Sequence, residues 1–182
     1  TAKLPDYLIE KSWQNARTEG QAEKPWPWLD STPIAKLEFP QQNRSLVIMQ
    51  GAENDVLTFA PGWHEGTDMP GNDGISLVSG HRETHFGFLR NLEAGTLFTL
   101  QTLDGRNVEY YVDDLIITRH EEIHVPIKNR DDSILLLSTS YPSVNWQKGK
   151  DLKYVVVARK YEEGRPRVLS GNMYDKAKHT PM

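Results

Sequence analysis

The chain contains no cysteine. It therefore cannot be a disulfide-stapled secreted scaffold, and it cannot bind a metal through thiolates. It also lacks a basic excess, since its net charge is -4 and its pI is near 5.9, which argues against general nucleic-acid binding. No apolar run approaches the roughly 18 residues of a membrane-spanning helix. There is no leader sequence, and because the chain begins at Thr1 rather than Met, we expect that a leader or an anchor has been removed.

The length of 182 residues suits one domain with a substantial core. Apolar residues recur at helical spacing between Asp6 and Thr18, which predicts an amphipathic N-terminal helix. Pro25–Trp28 cannot continue it, because each proline restricts the residue before it. We expect the two tryptophans of that segment to pack onto the main body. The predicted organisation is an N-terminal helix and linker over 1–29, a β domain over 30–160 and a C-terminal tail over 161–182.

From Ile34 onward the pattern changes to short apolar or alternating runs separated by turn residues. One short helix, roughly His85 to Leu92, interrupts them. The predicted strands cover 35–39, 45–49, 56–59, 75–78, 96–103, 107–118, 135–140 and 153–159. About eight short strands with little helix predict an all-β fold, either a barrel or a sandwich.

Three strand ends carry residues suited to acyl transfer. One strand ends at Ser79-Gly80-His81, another ends at Ser140 before Tyr141 and Pro142, and Lys153 lies on a third. An acid/base imidazole, a nucleophile position and a cation are what such a reaction needs, because a tetrahedral oxyanion requires a positive donor. Ser140 has neither a Gly-x-Ser-x-Gly elbow nor a Ser-x-x-Lys motif, so a serine hydrolase of a familiar type is disfavoured.

Two histidine pairs at a spacing of four leave a metal site as an alternative. His81 and His85 form the first pair, and His120 and His124 form the second. Such pairs can share a helix face and bind zinc, but the His-Glu-x-x-His order is absent. A zinc-binding β protein with His81 and His85 as ligands therefore remains a distinct hypothesis.

Three stretches together resemble the sortases, most closely the class D-like sortases of Gram-negative marine proteobacteria. They are Gly74–Phe86, which contains Gly-His-Arg-Glu-Thr-His-Phe, then Leu136–Pro142, which reads Leu-Leu-Ser-Thr-Ser-Tyr-Pro, and Leu152–Val156, which reads Leu-Lys-Tyr-Val-Val. Asp30–Pro33 and Pro61-Gly62 also match the family's order. The resemblance covers about residues 26–160 and implies a closed eight-stranded β-barrel with short helices and an N-terminal helix.

The resemblance implies a cysteine transpeptidase that is anchored in a membrane and acts outside the cytoplasm, at the cell envelope. Such enzymes cleave a C-terminal sorting signal of a secreted protein, similar to Leu-Pro-x-Thr-Gly, through a thioacyl intermediate that an amine acceptor resolves. By position, His81 is the acid/base histidine, Ser140 occupies the place of the nucleophilic cysteine, and Lys153 occupies the place of an arginine. The residues expected to contact substrate are Thr139, Tyr141 and Trp146.

No resident cofactor is expected from this resemblance. Some sortases bind calcium where this chain has an acidic loop, so calcium is the alternative. Its candidate ligands are His120, Glu121, Glu122 and His124. Two carboxylates are a small set for calcium, which prefers oxygen ligands.

Ser140 and Lys153 both depart from the family pattern. A hydroxyl needs far more base assistance than a thiol, so Ser140 should cripple the reaction. The simplest explanation is a Cys→Ser substitution introduced at the active site, and the alternative is a natural pseudo-sortase that binds sorting signals or a partner protein. Lys153 keeps a positive charge but lacks the bidentate fork of arginine. Arg159 cannot replace it, because six strand residues separate the two by about 20 Å.

Overall fold

The computed structural model describes residues 3–141 and 152–164. A helix precedes a set of strands, and two 3-10 turns, Gly87–Asn91 and His120–Glu122, interrupt them. In chain order the elements are α1 Leu4–Glu19, β1 Pro33–Phe39, β2 Arg44–Gln50, α2 Asn54–Leu57, β3 Gly62–Trp63, β4 Gly74–Ser79, β5 Leu97–Thr102, β6 Asn107–Arg119, β7 Ser133–Ser140 and β8 Leu152–Lys160.

The eight strands close into a barrel in the order β1-β2-β3-β4-β7-β8-β6-β5, with β5 pairing back to β1. The β2–β3 and β4–β7 pairs are parallel, and the other pairs are antiparallel. This confirms the eight-stranded barrel with an N-terminal helix that the sequence resemblance implied.

β7 is buried on both faces, and this determines which way its last side chains point. Leu135 and Leu137 belong to the cluster inside the barrel, whereas Ile134 and Leu136 pack outside it against the segment that follows β6. Because successive side chains alternate, Thr139 points inward, and Ser140 lies on the outer face. A strand covered on both faces reads as a continuous apolar run, which is how the sequence shows it.

α1 forms because its buried residues Ile9, Trp13 and Ala16 recur every three or four positions on one face. It ends at Gly20, whose φ of 74° is the left-handed conformation that a C-cap glycine adopts easily. The apolar face packs on β1 and β2, and Glu10 pairs with Lys36 of β1 at 2.6 Å. The predicted helix is confirmed. Within the described ranges, no helix is long and apolar enough to cross a bilayer.

Two local predictions are wrong. The predicted strand 56–59 is the end of α2 and the turn after it, where Leu57 N–H donates to the Glu53 carbonyl at 2.9 Å. Burial of Val56 in the cluster beneath α1 overrides the β preference of this run. Trp26 does pack, edge-on to Phe59 with ring centroids 5.0 Å apart, but Trp28 is 83% exposed and does not.

Candidate active site

The register of β7 and β8 places Ser140 directly opposite Lys153. Tyr141 N–H donates to the Leu152 carbonyl at 2.9 Å, so Tyr141 and Leu152 form a hydrogen-bonded pair. The next pair along an antiparallel ladder is then a narrow one, with Cα atoms about 4.5 Å apart and side chains on the same face. The Ser140 hydroxyl and the Lys153 side chain therefore project side by side from the outer face of the barrel.

The parallel pairing of β4 with β7 brings His81 to the same rim. Ser79 is paired with Ser138, and Gly80 N–H donates to the Ser138 carbonyl at 3.0 Å. Each chain then runs two residues further, to His81 and to Ser140, so the two residues leave the barrel level with one another. His81 is exposed, and among the described residues its imidazole makes no hydrogen bond to Ser140. Hydrogen bonds of this kind often tighten only when substrate is bound.

The turn that carries His81 is held by Phe86. The Phe86 side chain is almost fully buried, and the backbone N–H of Phe86 donates to the His81 carbonyl at 3.0 Å. A Cβ added to Gly80 would lie 2.7 Å from that ring. The close approach of backbone to ring explains why glycine precedes His81, and it fixes where the imidazole emerges.

A cavity of about 350 Å³ opens beside Ser140. Its lining residues are Arg82, Phe86, Gly87, Arg90, Leu115, Ile117, Thr139, Ser140, Tyr141 and Tyr154. Thr139 is 6% exposed, and its Oγ1 atom has no hydrogen-bond partner in the described part of the chain. A buried hydroxyl left unpaired at the wall of a cavity is suited to bond a ligand. Burial also raises the pKa of Tyr154, so its phenol stays protonated.

His64, which follows β3, is a residue that the sequence analysis missed. Its Nε2 atom lies 2.7 Å from Ser79 Oγ, and its ring centroid lies 6.0 Å from that of His120. Burial lowers the pKa of His64, and electrostatic interactions with His120 and then Lys153 lower it further. The neutral form of the His64 imidazole is therefore favoured relative to a free histidine. The only signal in the sequence was the neighbouring Pro61-Gly62 match.

The other histidines that the sequence singled out do not line the cavity beside Ser140. His85 borders the cleft beneath α1, together with Asp6, and burial lowers its pKa. Within residues 3–141 and 152–164, no three His, Asp or Glu side chains are grouped closely enough to hold a metal ion. Trp146 and Pro142 lie outside the described residues.

Arg159 is bound elsewhere, as its distance from Lys153 led us to expect. Its Nε atom donates to Asp113 at 2.8 Å, and its Nη2 atom donates to the Pro126 carbonyl at 3.2 Å. These contacts tie β8 to β6 and to the loop before β7. The positive charge opposite Ser140 is therefore that of Lys153.

Solved sortases share this barrel. The structure of a Clostridium perfringens sortase D5 transpeptidase superposes with a TM-score of 0.67 at 21% identity, covering 88% of this chain and 100% of that one. A Clostridium perfringens sortase C, solved with the C-terminal cell wall sorting motif, gives a TM-score of 0.59 at 22% identity, covering 86% of each chain. At these identities the likeness defines the fold.

The family follows from the sequence itself. The model of the Sortase domain family matches residues 37–161, so the chain belongs to the sortase family. Sortase D of Bacillus subtilis (strain 168) is 28% identical over 106 residues, which cover 58% of this chain and 53% of that protein. The chain thus spans about half the length of this curated relative.

Proposed function

We propose that this chain is the catalytic domain of a sortase-type cysteine transpeptidase. Its substrate would be a secreted protein with a C-terminal sorting signal similar to Leu-Pro-x-Thr-Gly, and an amine at the cell envelope would accept the cleaved product. The observation that carries this proposal is the strand register, which sets Ser140 opposite Lys153 and level with His81. The structure of a sortase C solved with the C-terminal cell wall sorting motif supports the substrate class by analogy.

In the parent enzyme a cysteine thiolate at position 140 would attack the threonine carbonyl of the signal. Lys153 would stabilise the oxyanion as a point charge, because its side chain projects beside that position. The C–N bond would then break, and His81 would protonate the leaving amine, leaving a thioester. An incoming amine would attack this thioester while His81 takes its proton, and the thiolate would leave.

We further propose that Ser140 makes this chain an inactive form of that enzyme. The pKa of a serine hydroxyl is far above that of a thiol, so His81 cannot supply a useful fraction of the alkoxide. A natural pseudo-sortase that only binds sorting signals or a partner is the second candidate, and the absence of any cysteine supports it equally. The genomic codon for residue 140 separates the two.

Substrate would enter the cavity beside Ser140. Leu115, Ile117 and Phe86 give it apolar walls that suit an aliphatic side chain of the signal. The Thr139 hydroxyl has no hydrogen-bond partner among the described residues, so it is available to form a hydrogen bond with the peptide backbone. Tyr141 borders the same cavity, and Trp146 is proposed to contribute from the loop after β7.

The remaining assignments are also proposals. The motifs favour a class D-like sortase of the kind found in Gram-negative marine proteobacteria, and the Sortase D relative supports the class. Residues 1–29 would link the barrel of residues 30–160 to a membrane anchor, with 161–182 as a tail. Action outside the cytoplasm follows from the substrate class. The alternative cofactor is calcium, with His120, Glu121, Glu122 and His124 as its candidate ligands.

The test is to compare the chain with its Ser140→Cys variant on a panel of fluorogenic sorting-signal peptides, with an amine acceptor present. We expect cleavage and transfer to rise by on the order of 10³-fold or more, with sensitivity to thiol reagents. Ser138→Cys is the matched control, because it places a buried thiol two residues away on the same strand face. It should remain inactive.

Two results would count against the proposal. No cleavage and no thiol labelling in Ser140→Cys would refute an enzyme parent. Tight binding of signal peptides without cleavage would instead favour the pseudo-sortase.

A further inference from the structure

A second cavity, of about 590 Å³, adjoins the one beside Ser140. Arg82, Gly87 and Arg90 line both cavities, so the two cavities are neighbours that share these residues as a border. The other lining residues of the second cavity are Arg44, Glu83, Thr84, Phe88 and Asn91. We call this second cavity the basic groove, because three arginines, Arg44, Arg82 and Arg90, border it.

Positive charge in the basic groove is poorly neutralised. Its one carboxylate, Glu83, is 85% exposed and lies 3.8 Å from Arg82. Among the residues that the structure describes, no carboxylate lies within 4.0 Å of Arg44 or Arg90. The chain as a whole carries a net charge of -4, so this concentration of guanidinium groups is local.

The arginines differ in how firmly they are positioned. Arg44 lies over the Phe88 ring, 5.9 Å from its centroid, but it also borders the cleft beneath α1 where Asp6 and Glu10 lie. Arg82 directly follows His81, and Arg90 lies on the 3-10 turn that Phe86 anchors. Arg82 and Arg90 are therefore the arginines placed to meet a substrate at residue 140, since both line the Ser140 cavity as well as the groove.

We propose that the basic groove binds a carboxylate of the peptide substrate, supplied by an Asp or Glu close to the sorting motif. This deepens the proposed function and rests on it. A guanidinium fork can hold a carboxylate through two parallel hydrogen bonds, and two such forks at one shared border select for charge rather than for bulk. An acidic neighbour would thus fix the position of the scissile bond over residue 140.

The surroundings favour a peptide over a membrane surface. Clusters that recognise anionic lipid usually hold 4–8 basic residues, whereas three line this groove among the residues that the structure describes. The groove also borders the Ser140 cavity, where an extended peptide bound at residue 140 would continue. A peptide that occupies the first cavity would pass Arg82 and Arg90 on leaving it.

The experiment measures equilibrium binding of labelled peptides to the chain as it is, because Ser140 prevents turnover. One Glu is placed at successive positions on either side of the motif, and each peptide is paired with its Gln counterpart. We expect one or two adjacent positions where Glu binds about five- to tenfold more tightly than Gln at low salt, with less preference at high salt. The same ratio should appear in kcat/KM of the Ser140→Cys form.

The preference should fall below about twofold in the Arg82→Gln/Arg90→Gln double variant. Lys11→Gln is the matched control, because it removes one exposed positive charge on α1, away from the groove. It should keep the full preference. Thermal unfolding checks that each variant folds. If the double variant does not fold, Arg90→Gln alone must still reduce the preference for Glu at least twofold, because it removes one of the two arginines that line both cavities.

Several results would overturn the proposal. It is wrong if Glu and Gln peptides bind alike at every position, or if the preference survives in the double variant. Binding to phosphatidylserine vesicles that depends on Arg82 and Arg90, without any peptide preference, would assign the groove to a membrane instead. Equal cleavage of neutral and acidic peptides by Ser140→Cys would refute this inference while leaving the transpeptidase intact, whereas no cleavage of either would count against the transpeptidase.

Discussion

The Arg159–Asp113 pair offers a quantitative test of how the barrel holds the loop that leads into β7. The Arg159 and Asp113 side chains are 8% and 1% exposed, and Arg159 Nε lies 2.8 Å from Asp113 Oδ2. Arg159 Nη1 makes no hydrogen bond among the described residues, and its nearest carboxylate is Asp132 at 3.7 Å. The pair of Arg159 with Asp113 is therefore a buried ion pair with a direct hydrogen bond.

Arg159→Met keeps the apolar stem but removes the guanidinium, so it leaves a buried carboxylate without its cation. Breaking a buried pair in this way costs about 3–5 kcal/mol, which is a large part of the stability of a typical domain. Adding Asp113→Leu removes the stranded charge, and the double variant should recover most of the loss.

Urea unfolding at pH 7 of the four members of the mutant cycle measures these differences. Lys24→Met is the matched control. The pair of Lys24 with Asp30 has a similar distance, 3.2 Å, but its side chains are 47% and 92% exposed. That substitution should cost no more than about 1 kcal/mol. A loss below about 1 kcal/mol for Arg159→Met at pH 7, or a double variant as unstable as the single one, would refute the reasoning.

Three further outcomes follow from the site. In the Ser140→Cys form, Lys153→Ala should lower kcat/KM by about 10²-fold, whereas Lys153→Arg should preserve it. If both variants lower kcat/KM equally, Lys153 does not stabilise the oxyanion. The pKa of His64 in the folded chain lies below the ordinary value of about 6.5, so on acidification the unfolded chain takes up a proton before the folded chain does. The free energy of unfolding therefore falls as the pH is lowered from about 6.5 toward the folded-state pKa of His64. His64→Gln should therefore flatten the loss of unfolding free energy from pH 7 to pH 5.5, and an unchanged slope would contradict this. Gly80→Ala should lower the free energy of unfolding by about 1–3 kcal/mol, because the added Cβ would lie too close to the Phe86 ring. Urea unfolding measures this loss, and an unchanged free energy would show that the ring can move aside.

The predictable parts of this fold are those whose neighbours leave a trace in the sequence. β7 is covered on both faces, so it reads as an unbroken apolar run, and the β5–β6 hairpin carries the turn residues Asp104-Gly105. α1 buries one stripe and shows the matching period. In each case a local pattern and the tertiary environment agree.

The parts that the sequence did not reveal depend on distant contacts. β3 has two residues, too few for any periodicity, and it is a strand only because β2 and β4 flank it. The lowered pKa of His64 depends first on its burial and then on His120 and Lys153, which lie far along the chain. The lack of a hydrogen-bond partner for the Thr139 hydroxyl, among the residues that the structure describes, likewise depends on the tertiary fold. No window of sequence contains this information.

Because side chains alternate along β7, the side chains of Thr139 and Ser140 lie on opposite faces of the barrel wall. A slip of one residue in the β7–β8 register would turn Thr139 outward and Ser140 into the barrel, and it would remove Lys153 from beside residue 140. The parallel pairing of β7 with β4 fixes the same register, since Gly74 pairs with Ser133 and Ser79 pairs with Ser138. The strand pairing thus holds position 140 in place without any contribution from the side chain there. Since serine and cysteine differ by a single heavy atom and residue 140 is exposed, the barrel can present either one in the same geometry, and the chemistry can change while the architecture does not.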